Sequence, residues 1–339
     1  MQKILIIIIF SVFGVNSFAQ KEFKIMCYNV ENLFDVKDDS LYNDSEYLTG
    51  GLRGWNYARY REKLTNIAKV IAAAGEWSPP AIVGLCEIEN ENTLKDLTQR
   101  TGLQQLKYKF IHYESPDARG VDVALLYLPD FFTPINSRPI KVKFPNSTST
   151  TRDILYASGK IPSGDTLHIF VNHFPSRLGG ELESEERRIV AASFLRANVD
   201  SLFEKHKNAA IVIMGDFNDY PDNNSMLKTL KANILPENIK EIEPQKLYNL
   251  AYKIHAEGKT GSYRHENEWG MLDQIIVSAA LLDNFLKIKV LSSTFRVFAP
   301  NWLLQEDKNL GLRPFRTYIG MTFNGGFSDH LPILVNCSW

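Results

Sequence analysis

Apolar residues along the chain fall into short continuous runs divided by polar stretches, with a few longer segments of helical spacing. The run at 211–214 is apolar and β-branched enough to read as a buried strand, 81–86 reads as another buried strand, and 23–28 as the first strand of the chain. Further strand-like runs occupy 107–113, 121–128, 154–158, 167–172, 272–278, 285–291 and 331–336. Residues 57–74 place Leu64, Ile67, Ala68 and Ile71 on one helical face, and Gly75 ends the segment. Residues 182–203 read as a long charged helix with Ile189, Phe194, Leu195 and Val199 on one side, and shorter helices are expected at 91–100 and near 225–231. Helices and strands alternate, yet many strands lie close enough for antiparallel pairing. The expected fold is α+β: two mixed sheets face to face with helices outside.

The 339 residues contain no linker, low-complexity tract or internal repeat, so one large domain is expected over 22–338. The N-terminus is different. Lys3 precedes an apolar run at 4–15 too short to span a bilayer, and Ser17-Phe18-Ala19 supplies small residues for a peptidase. A secretory signal over 1–19, cut before Gln20, is expected, with the mature chain periplasmic or extracellular. No Cys follows the cut, which argues against a lipid anchor. Without Lys3 the chain holds 37 basic and 39 acidic residues, a formal charge of −2. Net charge therefore excludes bulk attraction to nucleic acid; any steering is local. The three cysteines, Cys27, Cys86 and Cys337, exclude a full disulfide framework. Each sits in an apolar run and is expected to be a buried inert thiol, one disulfide plus a free thiol being the alternative.

The candidate chemistry lies where apolar runs end. Tyr28-Asn29-Val30-Glu31, Leu85-Cys86-Glu87, Val171-Asn172-His173, Gly215-Asp216-Phe217-Asn218 and Ser328-Asp329-His330 each follow or interrupt such a run, and Met271-Leu272-Asp273 begins one. Singly, such residues cap helices, make turns or sit satisfied in a core. Together, the polar groups of these six segments would be a costly concentration without a cation or anion to satisfy them. The candidate ligands are carboxylate and amide oxygens, with no Cys pair and no His pair at zinc spacing. They suit Mg²⁺ first, with Mn²⁺ or Ca²⁺ as alternatives. A hard cation beside two histidines suits phosphoester hydrolysis.

This ordered set resembles the endonuclease/exonuclease/phosphatase superfamily, over roughly 23–337. Any one of the motifs is weak; six in order are specific. The resemblance implies the four-layer α/β/β/α sandwich of DNase I-like proteins. It also implies Glu87 as the main metal ligand with Asn29 and Asp329 beside it, Asp216 orienting the attacking water, and Asn218 hydrogen-bonding the phosphate. His330 would contact the scissile phosphate with its ring held by Asp273, and His173 would be the second histidine of the deoxyribonuclease type. Asp122 is a candidate partner for His173; a charged residue on a strand's wet face is the competing reading.

Asn172 and Arg177 are candidate substrate contacts, and Arg187 and Arg188 are expected on the cleft side. The stretch 295–316 interleaves bases with aromatics and reads either as a rim that grips phosphates and stacks bases or as an ordered surface loop with a few core aromatics. The first functional expectation is a secreted metal-dependent nuclease or broader phosphodiesterase. Alternatives are a phospholipase C-like or sphingomyelinase-like enzyme, a phosphomonoesterase acting on lipid or sugar phosphates, and, more remotely, a catalytically silent binding module. Nothing in the sequence indicates a transmembrane anchor, a stable protein partner or an oligomer, and a monomer is expected.

Overall fold

The computed structural model describes residues 21–145, 148–265, 267–283, 285–307 and 311–339; the expected secretory signal lies outside them. The chain opens with β1 (Glu22–Leu33), α1 (Tyr57–Ala74), β2 (Ile82–Ile88) and α2 (Glu91–Gln99). It continues through β3 (Lys109–His112), β4 (Asp122–Tyr127), β5 (Thr133–Ile140), β6 (Ile154–Lys160) and β7 (Thr166–His173). Helix α3 (Glu181–Lys205) leads into β8 (Ala210–Asp216), then β9 (Ala232–Ile234), β10 (Leu247–Asn249) and α4 (Tyr252–Glu257). Two hairpin strands, β11 (Tyr263–His265) and β12 (Glu268–Gly270), precede β13 (Asp273–Ser278) and β14 (Lys289–Val297). The end of the chain holds β15 (Leu304–Asp307), β16 (Gly311–Pro314), β17 (Tyr318–Ile319), β18 (Thr322–Phe323) and β19 (Ile333–Ser338).

Two mixed sheets form the centre. The first has the order β14-β19-β1-β2-β4-β3, parallel at β1/β2 and antiparallel elsewhere. The second has the order β5-β6-β7-β8-β13-β10-β9, parallel at β7/β8 and at β9/β10. Strand β8 shows why its apolar run is continuous. Val212 and Met214 face the core between the sheets, whereas Ile211 and Ile213 face α3 through Ala192, Leu195 and Val199. Both faces are buried, so both parities must be apolar. On the outer face of the first sheet, α1 lays Leu64, Ile67 and Ile71 into the apolar cluster that also holds residues of β1 and β2. The result is the expected four-layer sandwich.

The helices end where local chemistry says they should. Asn56 caps α1 by accepting from the Arg59 N–H at 3.1 Å, and Asn90 caps α2 by accepting from the Thr93 N–H at 3.0 Å. Each such cap contributes about 1 kcal/mol. Two expected elements differ. The strand expected at 285–291 begins only at Lys289 and runs on to Val297, and the helix near 225 is a single π-helical turn, Ser225–Leu230. Strand β5 was not legible because Pro134 and Pro139 interrupt its pattern. It lies at a sheet edge, where a missing N–H is tolerated. All three cysteines are buried free thiols, as expected. Among the described residues no helix is long and apolar enough to cross a membrane.

Candidate active site

The site is built by strand register at one end of the sandwich. In the second sheet, His173 on β7 pairs with Asp216 on β8, and Asp216 pairs with Asp273 on β13. Three neighbouring strands thus present three polar side chains side by side. Asp216 shares the parity of Val212 and Met214, so it points between the sheets at the point where the apolar core ends. Gly215 makes this register possible: a Cβ there would collide with the Asn172 carbonyl oxygen.

The first sheet supplies the opposing groups. β1 and β2 place Asn29 beside Cys86, and their pairing shifts between Asn29 and Leu33. Glu31, Asn32 and Glu87 take left-handed backbone conformations, with φ of 55°, 54° and 66°, and Asn218 joins them from the second sheet at 50°. Such conformations are uncommon for residues with a side chain, and they cluster where side chains must be re-aimed. The Glu87 carboxylate is fixed by the Asn32 N–H at 2.8 Å. Asn29 accepts from the Glu31 N–H and donates its Nδ2 to Asp216 Oδ2, both at 3.0 Å. This contact joins the two sheets across the site. Ser328 donates to the Asn29 carbonyl at 2.7 Å and accepts from the His330 N–H at 3.1 Å, setting the loop that carries Asp329 and His330.

His330 Nδ1 lies 2.6 Å from Asp273 Oδ2, and its Nε2 lies 3.7 Å from Asp216 Oδ2. His173 Nε2 lies 3.7 Å from Asp216 Oδ2 and 3.9 Å from Glu87 Oε1. Asn218 donates its N–H to Asp216 Oδ1 at 2.9 Å and its side-chain amide to the Phe174 carbonyl at 3.0 Å. Arg177 donates to the Asn218 carbonyl at 2.8 Å and lies over the Tyr220 ring. Glu87, His173, Asp216, Asn218, Asp329 and His330 all line one cleft of about 630 Å³.

The two histidines are driven in opposite directions. Burial alone would lower the pKa of His330, but the Asp273 and Asp216 carboxylates overcome it and hold the ring well above its ordinary value. Burial, reinforced by Arg152 and Arg119, holds His173 well below its ordinary value. Burial raises Asp216 to about 6, with His330 acting against that shift and Asp273 with it. One charged imidazole, one neutral imidazole and a carboxyl poised near neutrality occupy one cleft. Asp216, Asp273 and His330 form a possible acidic/His metal site. Glu87, Asp329 and Asn29 add oxygen donors around the same cleft, and this donor set fits a hard divalent cation.

Several expected positions take other roles. Asp122 does not reach His173: its Oδ2 lies 3.3 Å from His112 Nε2, its Oδ1 accepts from the Ser115 N–H, and His173 Nδ1 has no partner among the described residues. Asn172 is fully buried and donates to the Met214 carbonyl at 3.1 Å, so it braces β7 against β8 and does not line the cleft. Arg188 is also fully buried, 2.7 Å from Asp219, and Arg187 lies over the Phe144 ring away from the cleft lining. In the 295–316 stretch, Phe298, Trp302 and Phe315 pack against the core and do not form a stacking rim. The structure also adds residues that no motif marked. Arg152, buried beside Asp117, donates to the carbonyls of His173 and Phe174, and the Tyr263 ring lies 4.7 Å from that of His330. Each is a single residue in an ordinary segment, so only its tertiary position reveals it.

The family model described as endonuclease/exonuclease/phosphatase family matches residues 24–338, nearly all of the described chain. The chain belongs to this family. It is thereby a phosphoester hydrolase of a kind that is generally dependent on divalent metal ions. Among solved structures, the chain is similar to an endonuclease/exonuclease/phosphatase family protein from Bacteroides thetaiotaomicron, at 16% identity and a TM-score of 0.58 over 94% of this chain and 98% of that one. A mannosyl-6-phosphatase from the same organism gives 16% identity and a TM-score of 0.57, over 94% of this chain and all of the other. Truncated TDP2 from Caenorhabditis elegans gives 16% and 0.55, over 94% and 98%. At these identities the likeness establishes the fold alone. No curated protein sequence matches the chain.

Proposed function

We propose that the chain is an exported, Mg²⁺-dependent phosphodiesterase whose first substrate class is nucleic acid. The observation that carries this reading is the convergence of Asp216, His173 and His330 with Glu87 and Asp329 in one cleft, drawn from both sheets. Asp216 has both oxygens anchored, by Asn218 and Asn29, and is thereby held in place to orient a water and draw off its proton. His330, with Nδ1–H held by Asp273, directs Nε2–H towards the cleft, where it stabilises the charge that develops on the phosphoryl oxygens. His173 presents a second imidazole edge, and Asn218 fixes the floor on which the phosphate rests. Glu87, Asp329 and Asn29 are the residues that would hold the cation, which when bound polarises a phosphoryl oxygen. Arg177 and Arg119 at the cleft wall supply local positive charge in a chain whose net charge is close to neutral.

A second reading is a phosphomonoesterase acting on a sugar phosphate, favoured by the likeness to a mannosyl-6-phosphatase. The two are separated by comparing supercoiled DNA, single-stranded RNA, sphingomyelin, an aryl phosphodiester and a hexose 6-phosphate as substrates of the mature protein. Turnover of the nucleic acids supports the first reading. Release of phosphate from the sugar ester alone would replace it with the second.

A further inference from the structure

Beside the catalytic cleft two hairpins meet, β11–β12 and β15–β16, and Arg264 of the first donates to the Leu312 carbonyl of the second. Between them is a recess of about 120 Å³ lined by Tyr263, Arg264, His265, Arg313, Arg316 and Asp329. It shares Tyr263, His265 and Asp329 with the catalytic cleft, so the two spaces adjoin. Its volume is well below the roughly 300 Å³ that encloses a drug-sized molecule. The scale is that of one small charged group.

The charges around the recess are unevenly paired. Arg313 lies 2.9 Å from Asp307, and Arg316 lies 2.8 Å from Asp329 and 3.7 Å from Glu31. Arg264 has no carboxylate partner among the described residues: it donates to the carbonyls of Leu312 and Asn267 and lies over the Trp269 ring. The Nε of each of these three arginines is buried without a hydrogen-bond acceptor among the described residues. Three guanidinium groups around a space of this size match a tetrahedral anion, which they bind through paired N–H donors. Asp329, the carboxylate that now neutralises Arg316, is also one of the cation's proposed ligands, so a bound cation would compete for it and leave the recess more positive.

We propose that this recess is an anion subsite that takes a second phosphate of the substrate, next to the phosphoester being cleaved. The proposal rests on the hydrolase reading of the adjoining cleft and narrows it: preferred substrates carry a neighbouring phosphate, as an oligonucleotide does and a simple diester does not.

The test compares d(TpT) with its 5′-phosphorylated and 3′-phosphorylated forms as substrates of the mature protein and of the Arg264→Gln and Arg264→Lys variants. One terminally phosphorylated form should show a KM at least tenfold below that of d(TpT). Arg264→Gln should bring that ratio close to one, and Arg264→Lys should retain part of it. Equal KM values for all three substrates in the unmodified protein would overturn the subsite. So would a uniform loss on all three in Arg264→Gln, which would make Arg264 a brace between hairpins. A second arm needs no turnover: inorganic pyrophosphate, added in EDTA, should raise the melting temperature of the unmodified protein and not that of Arg264→Gln. Equal shifts in both would count against the recess. If none of the dinucleotides is hydrolysed by the unmodified protein, the nucleic-acid reading fails, and the pyrophosphate arm decides the subsite by itself.

Discussion

Asp216 shows what a single position can carry. Its charge is held by an amide from the first sheet and an N–H from the turn that follows it, while burial brings its pKa close to the working range of a base. Asp216→Asn keeps the volume and removes the basic oxygen. The expected kcat is lower by about 10² to 10⁴, with an unchanged circular dichroism spectrum and melting temperature; a kcat within twofold of the unmodified protein would remove Asp216 from the chemistry. Gly215 tests the geometry that aims it. A Cβ pressed into the Asn172 carbonyl cannot be accommodated without separating β7 from β8. Gly215→Ala should cost at least about 2 kcal/mol in denaturant unfolding, and a smaller loss would show that the strand pair is more pliable than this register implies. At this scale the sequence was informative where a motif places a residue at or next to the last position of a buried strand, as for Asp216 and Glu87. It was uninformative about partners. The side chain that Asp122 meets depends on β3 lying beside β4, and nothing in the local pattern states that His112 will be there.

The elements explain both what was legible and what was not. α1 is readable because an apolar stripe, a polar cap at Asn56 and a terminating Gly75 agree, whereas α3 is readable in extent but not in its buried face, which includes Ser184 and Arg188. β5 is hidden by its prolines, and the short hairpins near the recess carry too few residues to show any period. Arg187 and Arg188 are expected on the cleft side, yet helical geometry turns Arg188 inward to Asp219, Ser184 and the Glu181 carbonyl. The Arg188–Asp219 pair ties the start of α3 to the loop after β8, and through it to the turn that holds Asp216 and Asn218. Arg188→Met should destabilise the fold by about 3 kcal/mol, at the low end for a broken buried pair because Ser225 and Arg177 still face Asp219. An unfolding free energy unchanged within about 0.5 kcal/mol, the scatter of surface substitutions, would show that the pair is dispensable.

The pairing of β6 with β7 makes a prediction about pH. His168, accepting or donating at 2.8 Å to Tyr156, is lowered to about 4 by burial and by His206. Its folded pKa is below that of the unfolded chain, so between the two values the unfolded state binds more protons and stability falls as pH falls. The loss should begin near pH 6.5, the ordinary histidine value, and continue towards pH 4. His168→Gln should flatten that limb of the stability profile; an unchanged slope would show that other groups set it.

For the molecule as a whole, the decisive feature is that neither sheet contains a complete site. β1 and β2 bring Asn29 and Glu87, the loop before β19 brings Asp329 and His330, and the second sheet brings His173, Asp216 and Asp273. The N-terminal strand β1 pairs directly with the C-terminal strand β19, so the whole fold must form before the cleft exists. Six weak motifs dispersed along the chain therefore carry a strong signal together, because only this topology gives them a common location. The substrate is less legible than the site, since it depends on hairpins and loops at the rim that follow no period. If this cleft hydrolyses phosphodiesters with a divalent cation held by Glu87 and its neighbours, metal dependence and Glu87 must fail together. The experiment is hydrolysis of an aryl phosphodiester by a chain spanning residues 20–339 as Mg²⁺ is titrated back after EDTA, for the unmodified chain and for Glu87→Gln. Activity should be lost in EDTA and restored by Mg²⁺, and Glu87→Gln should need at least tenfold more metal or stay inactive. Turnover that persists in EDTA, or a metal titration unaltered by Glu87→Gln, would refute the metal-dependent mechanism.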